Sequence, residues 1–68
     1  KIDWENLDLF DHLQLQSVID ECRKHQNMAQ AGRTLFHVSR NSRAKTNDSD
    51  RLRKYLQKFG LEWSDIVQ

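Results

Sequence analysis

The chain has 68 residues, of which 31% are charged, with a net charge of +1, one cysteine and no proline. A chain of this length forms one small domain, whose core is only marginally stable without a disulfide, a bound metal or a partner subunit. We therefore expect a homodimer. The lone Cys22 excludes an intramolecular disulfide, which favours a protein of the reducing cytoplasm. No apolar run is long enough to span a bilayer. Because residue 1 is lysine, we expect the chain to be a piece of a longer protein.

The charges are distributed unevenly along the chain. Residues 1–32 hold three basic and six acidic residues, whereas residues 33–58 hold eight basic and two acidic residues. A basic C-terminal half favours a polyanionic partner, because neutralising phosphates releases counterions. An ordinary solvated surface is the alternative interpretation of the same charges.

The first predicted helix runs from Asp11, at a capping-box pattern, to about His25. Its apolar stripe consists of Leu15, Val18, Ile19 and Cys22. Leu9 and Leu13 lie on the opposite side of the helical wheel. A dimer contact and packing against the N-terminal residues 2–4 explain this second apolar face equally well.

The second predicted helix follows a short break, with Asn27 as its N-cap. Its buried side consists of Met28, Ala31, Gly32, Leu35 and Phe36. Gly32 costs about 1 kcal/mol of helix stability relative to alanine, so its position indicates close contact with another helix. The tight link between these two helices favours a sharp crossing, as in a helix-turn-helix. Residues 37–48 then lose the periodicity and predict a polar loop with at most one short turn.

The third helix is predicted over residues 49–59 and is the most regular. Its apolar stripe consists of Leu52, Tyr55, Leu56 and Phe59. A cap is available among residues 47–49, and Gly60 predicts a left-handed stop with Leu61 folding back on the helix. Residues 63–67 predict a final half-turn packed on the core. The sequence therefore predicts an all-α domain of three helices, with an enlarged loop before the third.

The side of the third helix away from the core has the side chains that a DNA groove requires. The predicted contacts here are Ser49, Asp50, Arg51, Arg53, Lys54, Gln57 and Lys58. Arginine and lysine donate to guanine, glutamine pairs with adenine, and aspartate accepts from cytosine. We predict that Arg53 and Lys54 read bases, and that Arg51 and Lys58 contact phosphates. The alternative is that these charges only solubilise a surface helix.

The basic loop before this helix predicts further contacts to the DNA backbone. Its cations are Arg40, Arg43 and Lys45, and no acidic residue lies between Glu21 and Asp48 to neutralise them. Loop residues without a partner are the alternative interpretation.

An enzyme is not expected. The only glycines, Gly32 and Gly60, cannot form a phosphate-binding loop, and Cys22 falls on a core stripe, where a thiol is inert. We expect no metal and no other cofactor. A helical protein-interaction or dimerisation module without direct DNA readout is the alternative function. RNA binding is disfavoured, because the third helix exposes no aromatic side chain on which unpaired bases stack.

Three segments of the chain resemble a known family. They are LDLFD (7–11), AGRTLFHVSR (31–40) and NDSDRLRKYLQKFGL (47–61). They are similar to the C-terminal DNA-binding domains of the RtcR family of bacterial enhancer-binding proteins, sigma-54-dependent activators of the RNA-terminal-phosphate cyclase operon. The resemblance covers nearly the whole chain. It implies that an AAA+ ATPase domain and a sensory domain belong to the same full-length protein.

The resemblance also implies a helix-turn-helix similar to that of the factor for inversion stimulation, binding double-stranded DNA as a homodimer. The matching positions are Ala31, Gly32, Leu35, Val38 and Arg40. About nine residues, 41–49, are inserted before the pattern resumes at Asp50. Arg40 is therefore either a base reader or a phosphate contact, in which case base reading passes to Arg51 or Arg53.

Overall fold

The structure, a computed structural model, describes residues 2–41 and 47–67, and for residues 40 and 41 the backbone alone. A short 3-10 helix (Trp4–Asn6) precedes α1 (Leu9–Cys22), α2 (Met28–Leu35), α3 (His37–Asn41), α4 (Asp48–Gln57) and α5 (Trp63–Ile66). The all-α prediction is confirmed: α1, α2 and α4 are the three predicted helices, and the 3-10 helix, α3 and α5 are short additional ones. Over these residues, no helix has the length and apolarity needed to cross a membrane.

The predicted ends of α1 were wrong by a fraction of a turn. The helix begins at Leu9, so Asp11 lies inside its first turn and does not cap it. An acidic residue is favourable there because it faces the positive end of the helix dipole. The helix ends at Cys22, whose carbonyl accepts from the His25 amide at 3.1 Å in a closing turn. The predicted capping box at Asp11 was therefore wrong, and the whole helix lies about three residues nearer the N-terminus than predicted.

The core lies where α1, α2, α4 and α5 meet. Its buried side chains are Leu15, Ile19, Cys22, Ala31, Leu52, Leu56, Leu61 and Ile66. Half-buried neighbours surround them: Val18, Met28, Leu35, Phe36, Tyr55, Phe59, Trp63 and Val67. All three predicted stripes and the C-terminal half-turn are confirmed as core. Burial raises the pKa of the Cys22 thiol to about 11, so this cysteine behaves as a small apolar side chain.

The position of α2 is fixed by its N-cap and by its crossing with α4. The side-chain oxygen of Asn27 accepts from the Gln30 amide at 2.9 Å, which confirms the predicted N-cap. A Cβ atom on Gly32 would lie 2.8 Å from the backbone oxygen of Asp48, the first residue of α4. Real Cβ atoms essentially never come closer than 3.0 Å, so the two helices approach this closely because residue 32 is glycine. The predicted close contact at Gly32 is confirmed.

Both ends of α4 are fixed by local hydrogen bonds. At the start, the side-chain oxygen of Asn47 accepts from the Asp50 amide at 3.3 Å. At the end, Gly60 has a φ of 70°, and the Leu61 amide bonds the Leu56 carbonyl at 3.1 Å. This is the predicted left-handed stop, and it turns Leu61 into the core.

The segment predicted as a loop contains a helix. After a turn at Phe36, α3 covers His37–Asn41, slightly more than the single turn expected. The Ser39 hydroxyl donates to the Phe36 carbonyl at 3.4 Å, and His37 Nδ1 lies 3.1 Å from the Thr34 carbonyl oxygen. Residues 42–46 lie outside the described residues, so the enlarged loop stays a prediction.

The second apolar face of α1 is exposed. Leu9, Phe10 and Leu13 are 72%, 70% and 60% exposed. The N-terminal residues do not cover them: Ile2 and Trp4 pack against the core. Packing against the N-terminal residues was therefore the wrong explanation of this face, and α1 presents apolar side chains on two opposite sides.

Candidate nucleic-acid interface

A largely cationic surface covers the side of α4 away from the core. The exposed side chains are Arg53, Lys54, Gln57 and Lys58, and the half-buried ones are Ser49, Asp50 and Arg51. Because Leu52 and Leu56 are buried on the opposite side, the helix cannot turn this surface inward without opening the core. We refer to these seven residues as the α4 face.

Asp50 forms the electrostatic centre of the α4 face. Its two carboxylate oxygens bind different cations: Oδ1 pairs with Arg53 Nη2, and Oδ2 lies 3.0 Å from Lys54 Nζ. The hydrogen bonds from Lys54 and Arg53 lower the pKa of the Asp50 carboxyl, so it is ionised at neutral pH. The two predicted base readers are thus held side by side by one acidic residue.

Arg51 is turned towards the protein. Its guanidinium lies 4.0 Å from the centre of the Phe36 ring, and its Nη1 donates to the Ser39 hydroxyl at 3.1 Å. A cation over an aromatic face is attracted by the ring quadrupole. The hydrogen bond to the Ser39 hydroxyl also fixes the orientation of the guanidinium above the ring. Arg51 therefore connects the first turn of α4 to the end of α2 and to α3.

Lys58 lies beyond the last turn of α4, beside two aromatic rings. Its Nζ is 5.4 Å from the centre of the Tyr55 ring and 5.9 Å from that of Phe59. The rings themselves pack edge to face, with centres 5.4 Å apart. The aliphatic stem of a lysine can lie along such rings while its charged end stays in water, so Lys58 presents an exposed positive charge from a defined position.

The side chains of the predicted loop contacts lie outside the described residues. The backbone of Arg40 belongs to α3, but its side chain is outside the described residues, as are Arg43 and Lys45. Their contacts with DNA therefore stay predictions. Over residues 2–41 and 47–67, no group of three His, Cys, Asp or Glu side chains is placed to hold a metal ion.

Two partnerships on this surface were not predicted. Asp50 was expected to meet cytosine, although residues 50, 53 and 54 have the i, i+3 and i+4 spacing of helical ion pairs. That spacing could have revealed the pairing. The role of Phe36 beneath Arg51 had no comparable sequence pattern, because it depends on how α2 and α4 cross.

The chain is similar in sequence to known proteins. Residues 1–66 match the family model of the RtcR C-terminal DNA-binding domain. The chain is 55% identical over 62 residues to the transcriptional regulatory protein RtcR of Escherichia coli strain K12, covering 91% of this chain and 12% of that protein. No solved structure matches the chain. The chain therefore belongs to the family of RtcR C-terminal DNA-binding domains, whose function is DNA binding and not an enzymatic one.

Proposed function

We propose that this domain binds a specific sequence of double-stranded DNA and thereby holds a sigma-54-dependent activator at sites upstream of its promoter. The observation that carries the proposal is the α4 face. It places four exposed side chains with groove chemistry on a helix that is anchored along its other side. An α-helix with such a face fits the major groove, where base edges present a distinct pattern for each pair.

The α4 face supports a division between base reading and phosphate binding. The side chains of Arg53 and Lys54 are 50% and 70% exposed near the middle of α4, where a helix in the groove meets base edges. Lys58 lies after the end of α4, where the groove wall presents phosphates. Arg51 has five N–H donors, so its bond to Ser39 leaves others for a phosphate. We propose base contacts for the first two and phosphate contacts for the other two.

Binding to two kinds of DNA at several salt concentrations tests this division. A duplex enriched from a randomised pool by the native domain serves as the specific site, and its scrambled sequence serves as the reference. Arg53→Ala and Lys54→Ala should each cut the preference for the enriched duplex by about 1 to 3 kcal/mol. Lys58→Ala should weaken binding to both duplexes alike. It should also reduce the slope of log affinity against log salt concentration by about 1. Equal losses on both duplexes from all three variants would reject the assignment of base readers.

We further propose that two copies associate through the exposed apolar face of α1. A helix that is apolar on opposite sides is ordinarily buried on both, and Leu9, Phe10 and Leu13 have no cover within the described residues. A second copy related by a two-fold axis would bury this face and set two α4 helices against one duplex, since dimeric helix-turn-helix proteins read half-sites one turn apart. The homodimer is therefore part of the proposal.

The oligomeric state in solution tests the dimer. Analytical ultracentrifugation of the native chain should show a monomer–dimer equilibrium that Leu13→Lys shifts to monomer, because a charge would be desolvated in the contact. Thr34→Lys, which adds the same charge at an exposed position on α2, is the matched control and should leave the equilibrium unchanged. A native chain that stays monomeric at high concentration would exclude this contact.

The remaining parts of the regulator are also proposed. The chain spans 12% of the length of the E. coli relative, so most of a comparable full-length protein lies elsewhere. We propose that an AAA+ ATPase and a sensory domain occupy that part. The domain described here supplies the attachment to DNA.

A further inference from the structure

Asp50 is an unexpected residue on a surface that binds DNA. A carboxylate repels phosphates, yet this one lies 25% exposed in the first turn of α4, between the helix start and the cations. Two of the four exposed side chains of the α4 face, Arg53 and Lys54, are bound to it. Its position therefore governs what these two cations can reach.

We infer that Asp50 is a positioning residue that directs Arg53 and Lys54 towards base edges and away from phosphates, and so determines specificity. The inference rests on the proposed function. Arg53 bonds Asp50 through Nη2, which leaves its other N–H groups for the paired acceptors of guanine. A base contact can thus be added while the ion pair is kept. A phosphate on the groove wall instead competes with Asp50 for the same cation.

The effect differs between specific and non-specific complexes. Long cationic side chains lose rotamer freedom on binding, and a side chain already held by Asp50 has less freedom to lose when it meets its base. On unrelated DNA, binding depends on phosphates alone, and there the carboxylate both occupies two cations and adds repulsion. Asp50 therefore weakens non-specific binding more than specific binding.

Substitutions at residue 50 test this inference with the same enriched and scrambled duplexes. Asp50→Asn removes the charge but keeps the size. We expect its affinity for the scrambled duplex to rise about three- to tenfold at low salt, with a salt slope steeper by about 1. The preference for the enriched duplex should fall about tenfold, the size of one good base contact. Circular dichroism melting of each variant verifies that it is folded.

Two variants provide matched controls. Asp50→Glu keeps the charge and the helical pairing distance, and should retain the native preference to within about threefold. Asp20→Asn removes one charge from an exposed position on α1, and should change the preference less than about twofold. A positioning role predicts loss of preference with asparagine, rescue with glutamate and no change in Asp20→Asn.

The possible results separate this inference from the proposed function. If the native chain does not discriminate between the duplexes, sequence-specific binding fails, and the inference fails with it. If the native chain discriminates and Asp50→Asn does so equally well, only the inference is overturned. The inference is also overturned if Asp50→Asn weakens binding to the enriched duplex alone and the lost preference concerns a single C·G base pair. Asp50 would then contact cytosine itself.

Discussion

The substitution Gly32→Ala probes the contact that sets α4 against α2. Alanine should favour the helix by about 1 kcal/mol relative to glycine. Its Cβ would, however, lie 2.8 Å from the Asp48 carbonyl oxygen and 2.9 Å from the carbonyl carbon. Both are backbone atoms of the neighbouring helix, so they cannot move aside as a side-chain tip can. Such overpacking costs about 1 to 3 kcal/mol, and the free energy of unfolding should therefore fall by about 1 kcal/mol net.

Thermal unfolding followed by circular dichroism at one protein concentration measures this loss. For a domain of this size, 1 kcal/mol corresponds to a drop in Tm of about 4 to 8 °C. Gly60→Ala is the matched control, because a Cβ there meets no atom within 4 Å while the φ of 70° remains. Its loss, about 1 kcal/mol, should leave α2–α4 packing and DNA binding unchanged. A Tm of Gly32→Ala at or above the native value would refute the reasoning, since the helices would then separate without cost.

Three further measurements address the supports of α4 and the core. Arg51→Ala should lower the free energy of unfolding by about 1 to 2 kcal/mol, and a double-mutant cycle with Phe36→Leu should give a coupling of about 0.5 to 1 kcal/mol; additive losses would show that the ring and the guanidinium do not interact. Asn47→Ala should cost about 1 kcal/mol in urea unfolding by removing the cap of α4, and a loss near zero would contradict that role. The pKa of Cys22 rises from 9.0 to about 11 on folding, so the folded state keeps a proton that the unfolded chain loses; stability should fall by about 2 kcal/mol between pH 9 and 11, and less steeply in Cys22→Ala. Parallel pH profiles of the two proteins would contradict this burial effect.

The sequence was most informative where one short pattern decides a feature. The stripe of α4 and the stop at Gly60 were predicted correctly, because apolar spacing and a left-handed glycine are local properties. Gly32 was recognised as a close contact because a helical glycine has few other uses. The start of α1 was misplaced, since Asp8 and Asp11 both suit a helix N-terminus and composition does not choose between them.

Features that depend on crossing helices could not be predicted in the same way. The place of Arg51 over Phe36 follows from the α2–α4 angle, which no spacing along the chain encodes. The exposure of Leu13 depends on where the N-terminal residues pack, and those residues turned towards the core instead. By contrast, the pairing of Asp50 with Lys54 follows from helical spacing alone and was open to prediction.

The glycine stop after α4 limits how much sequence information one copy can extract. Ten residues of helix extend about 15 Å, which corresponds to about four base pairs at 3.4 Å each. A given sequence of about four base pairs recurs roughly once every few hundred base pairs, while a genome offers about 10⁶ or more competing binding sites. On the proposed function, a site that is unique in a genome therefore needs more base pairs than one α4 helix can contact, and a second copy bound to the same duplex would supply them.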